Sequence, residues 1–329
     1  MNKVFYLKAA IIVLATVFYA CTAEEKVEDL TDEDLQRVNM VKNKYARLQQ
    51  SFQGGYFVEL PTISPYSAGK VKQEVLQSGV DAVNLMRYIA GIADDVELSA
   101  EYTEMNQHGA VLLSAIKQLT HNPSKPQDMS DEFYQIALKG TSSSNISTTN
   151  LPSATIFMYI NDSGSGNIER VGHRRWILNP PMKKTGFGVG ANGYGLMYAF
   201  DRSRGNVDYD YVAWPSPGVF PLEFASKDLA WSISVNAQKY GAPEINKVKL
   251  TLKHVNSGKI WTFSNHSSTT GNNEYFNIDT AGYGINNCII FRPGLPSSFV
   301  YQEGDEFRVT VSGLENSINY SVKMFSIKQ

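Results

Sequence analysis

The stretch Val171-Gly172-His173-Arg174-Arg175-Trp176-Ile177-Leu178-Asn179-Pro180 concentrates the residue types that do chemistry. It holds one of only five histidines, with two arginines and a tryptophan beside it. An imidazole can ligate a metal or pass a proton near neutral pH, so the surroundings of His173 decide what it can do. His121, in Leu119-Thr120-His121-Asn122-Pro123, is its counterpart: each lies in or at the end of a short helix beside loop-forming residues. No His-x-x-x-His or Cys-x-x-Cys spacing strengthens the pair. His108, mid-helix beside Gly109, reads as packing. His254 and His266 fall near turns in the C-terminal part and read as surface residues. Cys288, in Asn287-Cys288-Ile289-Ile290-Phe291, reads as a buried inert thiol, because a reactive thiolate needs an electropositive, accessible setting. Ser142, Ser143 and Ser144 lack the strained Gly-x-Ser-x-Gly setting of a nucleophilic serine.

The elements that must position these residues follow from periodicity. A capping-box pattern, Thr31-Asp32-Glu33-Asp34, opens a helix whose stripe of Leu35, Val38, Val41, Tyr45, Leu48 and Phe52 runs to Gly54-Gly55. Helices are expected over 71–92, from 99 to Leu119, and over 130–138. A polar Ser/Thr/Asn loop is expected over 141–153, followed by an apolar run over 155–160. A short helix ended by Asn179-Pro180-Pro181 carries His173. Two strands follow, 187–189 and 196–200, with Asn192-Gly193 as the hairpin signal between them. The glycines from Gly186 to Gly190 do not follow a strand and open a helix, which argues against a phosphate cradle. Past Asp201, short β-branched and aromatic runs separated by turns predict an all-β sandwich of immunoglobulin-like type. The boundary is expected near Arg204-Gly205, with Trp214-Pro215-Ser216-Pro217-Gly218 as a stiff connection.

The chain of 329 residues is long enough for two domains, and 43% apolar with 19% charged residues is a globular composition. A formal net charge of -2 and the absence of a basic stripe with interleaved aromatics exclude a nucleic-acid partner. Lys3, Lys8 and the apolar run Ala9 to Phe18 form a leader too short to span a bilayer comfortably. It ends Phe18-Tyr19-Ala20-Cys21, which resembles a bacterial lipoprotein cleavage box. That implies export, cleavage before Cys21 and acylation of Cys21, with the membrane as a partner. Cys288 is then left without an intrachain disulfide partner. The organisation expected is a leader over 1–20, a tether and helix over 21–70, a first domain over 71–205 and a sandwich over 206–329.

The span from Leu76 to Phe200 resembles the CAP superfamily of cysteine-rich secretory, antigen 5 and pathogenesis-related 1 proteins. The residues that carry the resemblance are Asn84-Leu85-Met86-Arg87-Tyr88 with Leu98, and Leu119-Thr120-His121 with Met129. Ser143-Ser144-Asn145-Ile146, Ile156-Phe157-Met158-Tyr159-Ile160-Asn161-Asp162 and Gly172 to Pro180 with Gly186 to Gly190 complete it. It implies an α+β chain: a CAP-like α-β-α sandwich, then the immunoglobulin-like sandwich. It also implies a cleft lined by two histidines and two acids, here His121, His173 and Asp162, with Glu169 as the alternative acid. The first acid's position is held by Ser144, which cannot be a carboxylate base, nor can Asn145 beside it. On this reading one of Arg174 and Arg175 pairs with an acid and the other lies on the surface, while Trp176 belongs to the core.

Three functions compete. The first is a membrane-tethered, extracellular binding module whose cleft or sandwich engages a glycan, lipid, peptide or protein. The second is a metal-dependent hydrolase in which His121 and His173 hold a divalent metal such as zinc and Asp162 is a ligand or an acid/base group. The third is a structural surface spacer. The missing carboxylate at Ser144 favours the first.

Overall fold

The structure, a computed structural model, describes residues 30–48, 51–265, 267–268 and 273–328. The expected leader, the lipidated Cys21 and His266 lie outside them. Helix α1 spans Asp32–Ala46 and opens on the capping box: Thr31 Oγ1 accepts the Asp34 amide and the Asp34 carboxylate accepts the Thr31 amide, both at 3.1 Å. It buries Val38 and Val41 and ends short of Gly54-Gly55. Two short ribbons, Phe57–Glu59 with Lys70–Val71 and Thr62–Ile63 with Tyr66–Ser67, lead to α2, Gln73–Ile89. Helix α3 spans Ala100–Ile116, capped by the Ser99 side chain; α4 spans Asp131–Ser142, capped by Ser130.

The expected 141–153 loop holds a strand, β1, Ser144–Ser147, buried along its whole length. Its residues are polar, which hides a strand from a hydrophobic pattern. They can be buried because each polar side chain is bonded: Ser144 to Asn106, Asn145 to the His173 carbonyl, Ser147 to the Thr149 carbonyl. Helix α5, Pro152–Asn161, and the one-and-a-half-turn α6, Gly172–Ile177, follow. Strands β2, Phe187–Val189, and β3, Gly195–Tyr198, complete an antiparallel sheet in the order β1-β3-β2.

Both faces of this sheet carry helix. Phe187, Val189 and Met197 join a core with residues of α2 and α5, while Leu196 and Ile146 pack with Ala110 and Leu113 of α3. Helix α3 lies almost on the backbone of β2. A Cβ on Gly188 would sit 2.0 Å from the Asn106 carbonyl oxygen, and one on Gly186 would sit 2.3 Å from the Thr103 nitrogen. The alternate glycines therefore clear one face of the strand for a helix, with no phosphate involved.

Ten further strands are β4 Tyr211–Trp214, β5 Gly218–Pro221, β6 Trp231–Val235, β7 Lys249–His254, β8 Ile260–Ser264, β9 Ser267–Ser268, β10 Tyr275–Asp279, β11 Cys288–Arg292, β12 Glu306–Ser312 and β13 Ile318–Phe325. They form two five-stranded sheets, β4-β6-β11-β10-β9 and β5-β13-β12-β7-β8. Trp231 reaches across to Phe307 at 5.5 Å, and Phe263 meets Phe276 and Phe291. The segment from Trp214 to Gly218, expected as an inter-domain connection, instead joins the two sheets. It is pinned to the helical part: Ser216 Oγ donates to the Ile89 carbonyl, and Arg37 donates to Ile89, Ser216 and Pro217. One hydrophobic core runs without a break from Val75 and Met86 to Trp214, Phe220 and Trp231. Among the described residues no helix is long and apolar enough to cross a membrane.

Candidate functional site

His173 is set by two backbone turns that L residues rarely adopt. Helix α5 ends at Asp162 with φ 44°, and α6 starts after Val171 with φ 43°. The first turn aims the Asp162 carboxylate back at α6. Its Oδ1 lies 2.9 Å from His173 Nδ1, and its Oδ2 accepts the Arg174 amide at 3.3 Å. The Tyr159 ring stacks on the imidazole at 4.9 Å and 8°. Because a carboxylate only accepts, Nδ1 carries the proton in this pair, which makes Nε2 the nitrogen with the lone pair whenever the ring is neutral.

His121 is held by the same logic through a different partner. Its Nδ1 lies 2.9 Å from the Thr141 carbonyl and donates to it, so Nε2 is again the nitrogen with the lone pair in the neutral tautomer. Both histidines border one cleft of about 570 Å³, which Ser144 and Asn145 of β1 also line. Ser144 Oγ donates to Asn106 Oδ1 at 2.7 Å, and Asn106 Nδ2 in turn donates to the Gly186 carbonyl. The hydroxyl proton is thus committed to an amide oxygen, away from any base. Asn145 Nδ2 donates to the His173 carbonyl at 3.1 Å and fixes the start of α6.

Both arginines of the motif are buried, which overturns the expectation of one surface arginine. Arg174 donates to the carbonyls of Ile160 and Asn161 at the end of α5, and to the Ala230 carbonyl and Ser232 Oγ of the sandwich. Arg175 donates to the Arg170, Ala281 and Ile285 carbonyls and pairs with Asp279. These bonds hold the 279–285 loop against α6. The contact is tight on both sides: a Cβ on Gly172 would sit 2.8 Å from the Tyr283 ring, and one on Gly284 would sit 2.9 Å from the Trp176 ring. Gly284 also needs its φ of 76°.

Trp176 faces the cleft and is not a core residue. Its ring stacks on Phe200 at 4.5 Å and 30°, and Phe200 is 48% exposed. Tyr283 contributes from the sandwich loop, with Arg170 Nη1 donating to its hydroxyl at 3.2 Å. Phe200, Tyr283 and Arg170 were not singled out in the sequence. The available signal was Gly282-Tyr283-Gly284, an aromatic displayed between two glycines.

Of the sequence candidates, the cleft gathers His121, His173, Ser144 and Asn145, while Asp162 lies buried behind His173. Glu169 is exposed and does not border the cleft. A zinc site needs at least three protein donors facing one point. Two imidazoles face the cleft, and both Asp162 oxygens are occupied by His173 and Arg174. No group of three or more His, Cys, Asp or Glu able to hold a metal occurs among the described residues. The donor set does not fit that metal.

His254, expected at the surface, is buried: its ring stacks on Phe307 at 4.6 Å, with Ser257 Oγ 2.8 Å from Nδ1 and Asp305 Oδ1 3.2 Å from Nε2. The Ser257 hydroxyl also accepts the Lys259 amide, and Asp305 Oδ2 accepts the Gln302 amide. The three residues tie two turns to the sandwich. Cys288 is buried, and burial pushes its thiol pKa up, as befits an inert thiol. Comparison with protein-family models, curated proteins and solved structures found no match to this chain.

Proposed function

We propose that this chain is an exported, lipid-anchored binding module, a CAP-like α-β-α domain followed by an immunoglobulin-like sandwich, whose cleft engages an extracellular ligand. The observation that carries the reading is the cleft wall. Phe200, half exposed and stacked on Trp176, gives it an open aromatic surface, and Tyr283 lines it from the sandwich. Aromatic side chains with a few fixed polar groups are what small-ligand sites are made of. The sandwich takes part in the site, so a spacer role explains less: a spacer gives no reason for Gly172 and Gly284 to bring two parts of the chain within contact at a cleft. Anchoring at Cys21 and a membrane-facing location belong to this proposal.

The test uses the full chain, solubilised in non-ionic detergent, on arrays of glycans and lipids beside its Trp176→Ala variant. Saturable binding that the variant loses supports the reading, and silence on both arrays leaves the spacer. Cys21→Ser should abolish membrane retention or block processing; unchanged processing and retention would remove the anchor from the proposal.

A hydrolase is the second reading, favoured by the presence of His121 and His173 on one cleft with Nδ1 of each already engaged. It requires a metal donor set that the cleft residues do not complete. Stoichiometric zinc in the purified protein, lost in both His121→Ala and His173→Ala, would restore it.

A further inference from the structure

We infer that the cleft takes an acidic saccharide, a pyranose ring bearing an anionic group; this rests on the binding-module reading and names its ligand class. Three observations converge. The first is shape. A pyranose presents a flat face of C–H groups, and the Phe200 ring, backed by Trp176 with ring centroids 4.5 Å apart, offers a matching apolar surface. Phe200 is 48% exposed, an apolar ring left open to solvent. The cleft volume of about 570 Å³ falls within the range of small-molecule sites, roughly 300–1,000 Å³.

The second observation is charge. Among the described residues, no Asp or Glu borders this cleft. The acids near it are committed elsewhere. Asp162 is buried against His173 and the Arg174 amide, and Asp279 is paired with Arg175. The cation that does border it is Arg170, whose guanidinium is steadied by the Tyr283 hydroxyl at 3.2 Å and lies 5.9 Å from the Tyr283 ring centroid. Arg202 adds positive charge beside that surface, 5.9 Å from the Trp176 ring centroid, and donates to the Gly284 carbonyl. A guanidinium fork matches a carboxylate or sulfate and outlasts any pH change.

The third observation is polar capacity. Asn167 and Ser142 line the cleft together with the two histidines. Neutral Nε2 atoms accept from sugar hydroxyls. In the arrangement we infer, the sugar ring lies on Phe200 where Trp176 backs it, its hydroxyls meet the histidines, and its anionic group meets Arg170. The carboxylate of a uronic acid and the sulfate of a sulfated sugar share this chemistry.

The test titrates the full chain in non-ionic detergent with three tetrasaccharides of equal length, one of galacturonic acid, one sulfated and one neutral. Calorimetry is the readout, with the change in tryptophan fluorescence that Trp176→Ala removes as a second signal. At least one acidic probe should bind about tenfold or more tightly than the neutral one, a gap of about 1.4 kcal/mol, and the gap should shrink with added salt. The probe that binds identifies the source of the anionic group. Arg170→Gln should remove that preference while leaving the thermal midpoint in place. Trp176→Ala should weaken all saccharide binding; Phe200→Ala repeats that test at a half-exposed position where folding is not at stake. Equal binding of the neutral probe overturns the acidic class and leaves the binding module standing. Failure of both acidic probes to bind overturns the inference, and the lipid and glycan arrays then decide the broader reading separately.

Discussion

His121 and His173 sit in different backbone settings yet reach the same state, with Nδ1 tied to an oxygen and Nε2 left to the cleft. For His173 the tie is a buried carboxylate, so Asp162 acts as a positioning residue. Asp162→Ala should leave the His173 and Arg174 N–H groups without partners and cost about 1–3 kcal/mol of stability, the usual penalty for buried donors left unpaired. Asp162→Asn keeps an acceptor for Nδ1 and should cost clearly less. Urea unfolding of both variants measures the pair, and equal losses would refute the positioning role. At this scale the sequence was legible where a residue type is rare. His173 stands out among five histidines, and the serine at position 144 stands out as the wrong chemistry. Phe200, Arg170 and Tyr283 were not legible, because three separate segments bring them together and no spacing records it. Trp176 looked like core for the same reason: the side chain that gives it a partner, Phe200, lies 24 positions away, two residues past the end of β3.

Helices α1 to α4 were legible as elements because their apolar residues recur at helical spacing and three of their caps carry Thr31, Ser99 and Ser130, whereas α5 read only as an apolar run. Strand β1 was not, because burial of Ser144, Asn145 and Ser147 is licensed by side-chain hydrogen bonds that only the folded neighbours supply. The glycine run was legible as a strand, but its purpose emerged from α3. With Asn106 pressed against β2, the helix can hold Ser144 and the Gly186 carbonyl at once. That close approach is testable at Gly188. A methyl group there would meet the Asn106 carbonyl oxygen at 2.0 Å, backbone that cannot swing aside. Gly188→Ala should therefore destabilise by about 1–3 kcal/mol, as overpacking does. Gly164→Ala, where nothing lies within 4 Å, should stay within about 0.5 kcal/mol of the parent. Denaturant midpoints compare the two; a neutral Gly188→Ala would mean that α3 and β2 lie farther apart.

The change from helical to strand periodicity near Arg204 was legible, and the mixed α+β fold follows it. What the pattern did not carry is how the parts join. The hydrophobic core is continuous from α2 to Trp231, and Trp214 to Gly218 is a crossing between sheets rather than a tether. Arg174 is the polar counterpart of that core. Its guanidinium reaches the end of α5 on one side and β6 with the residue before it on the other. Buried hydrogen bonds from a charged donor to carbonyls are strong because water cannot replace them. The intact chain should therefore unfold as one cooperative unit. Arg174→Met keeps a long side chain but leaves the Ile160, Asn161 and Ala230 carbonyls short of a donor. It should cost on the order of 3 kcal/mol. Its effect should also be uneven. Amide exchange in α5 and α6 should quicken more than exchange in β11 and β12, because the helical elements lose their bridge while both sheets keep their mutual packing. Hydrogen exchange followed by mass spectrometry separates the two regions. A variant in which both regions lose protection equally would show that the apolar core alone couples them, and that the buried arginine only fills space.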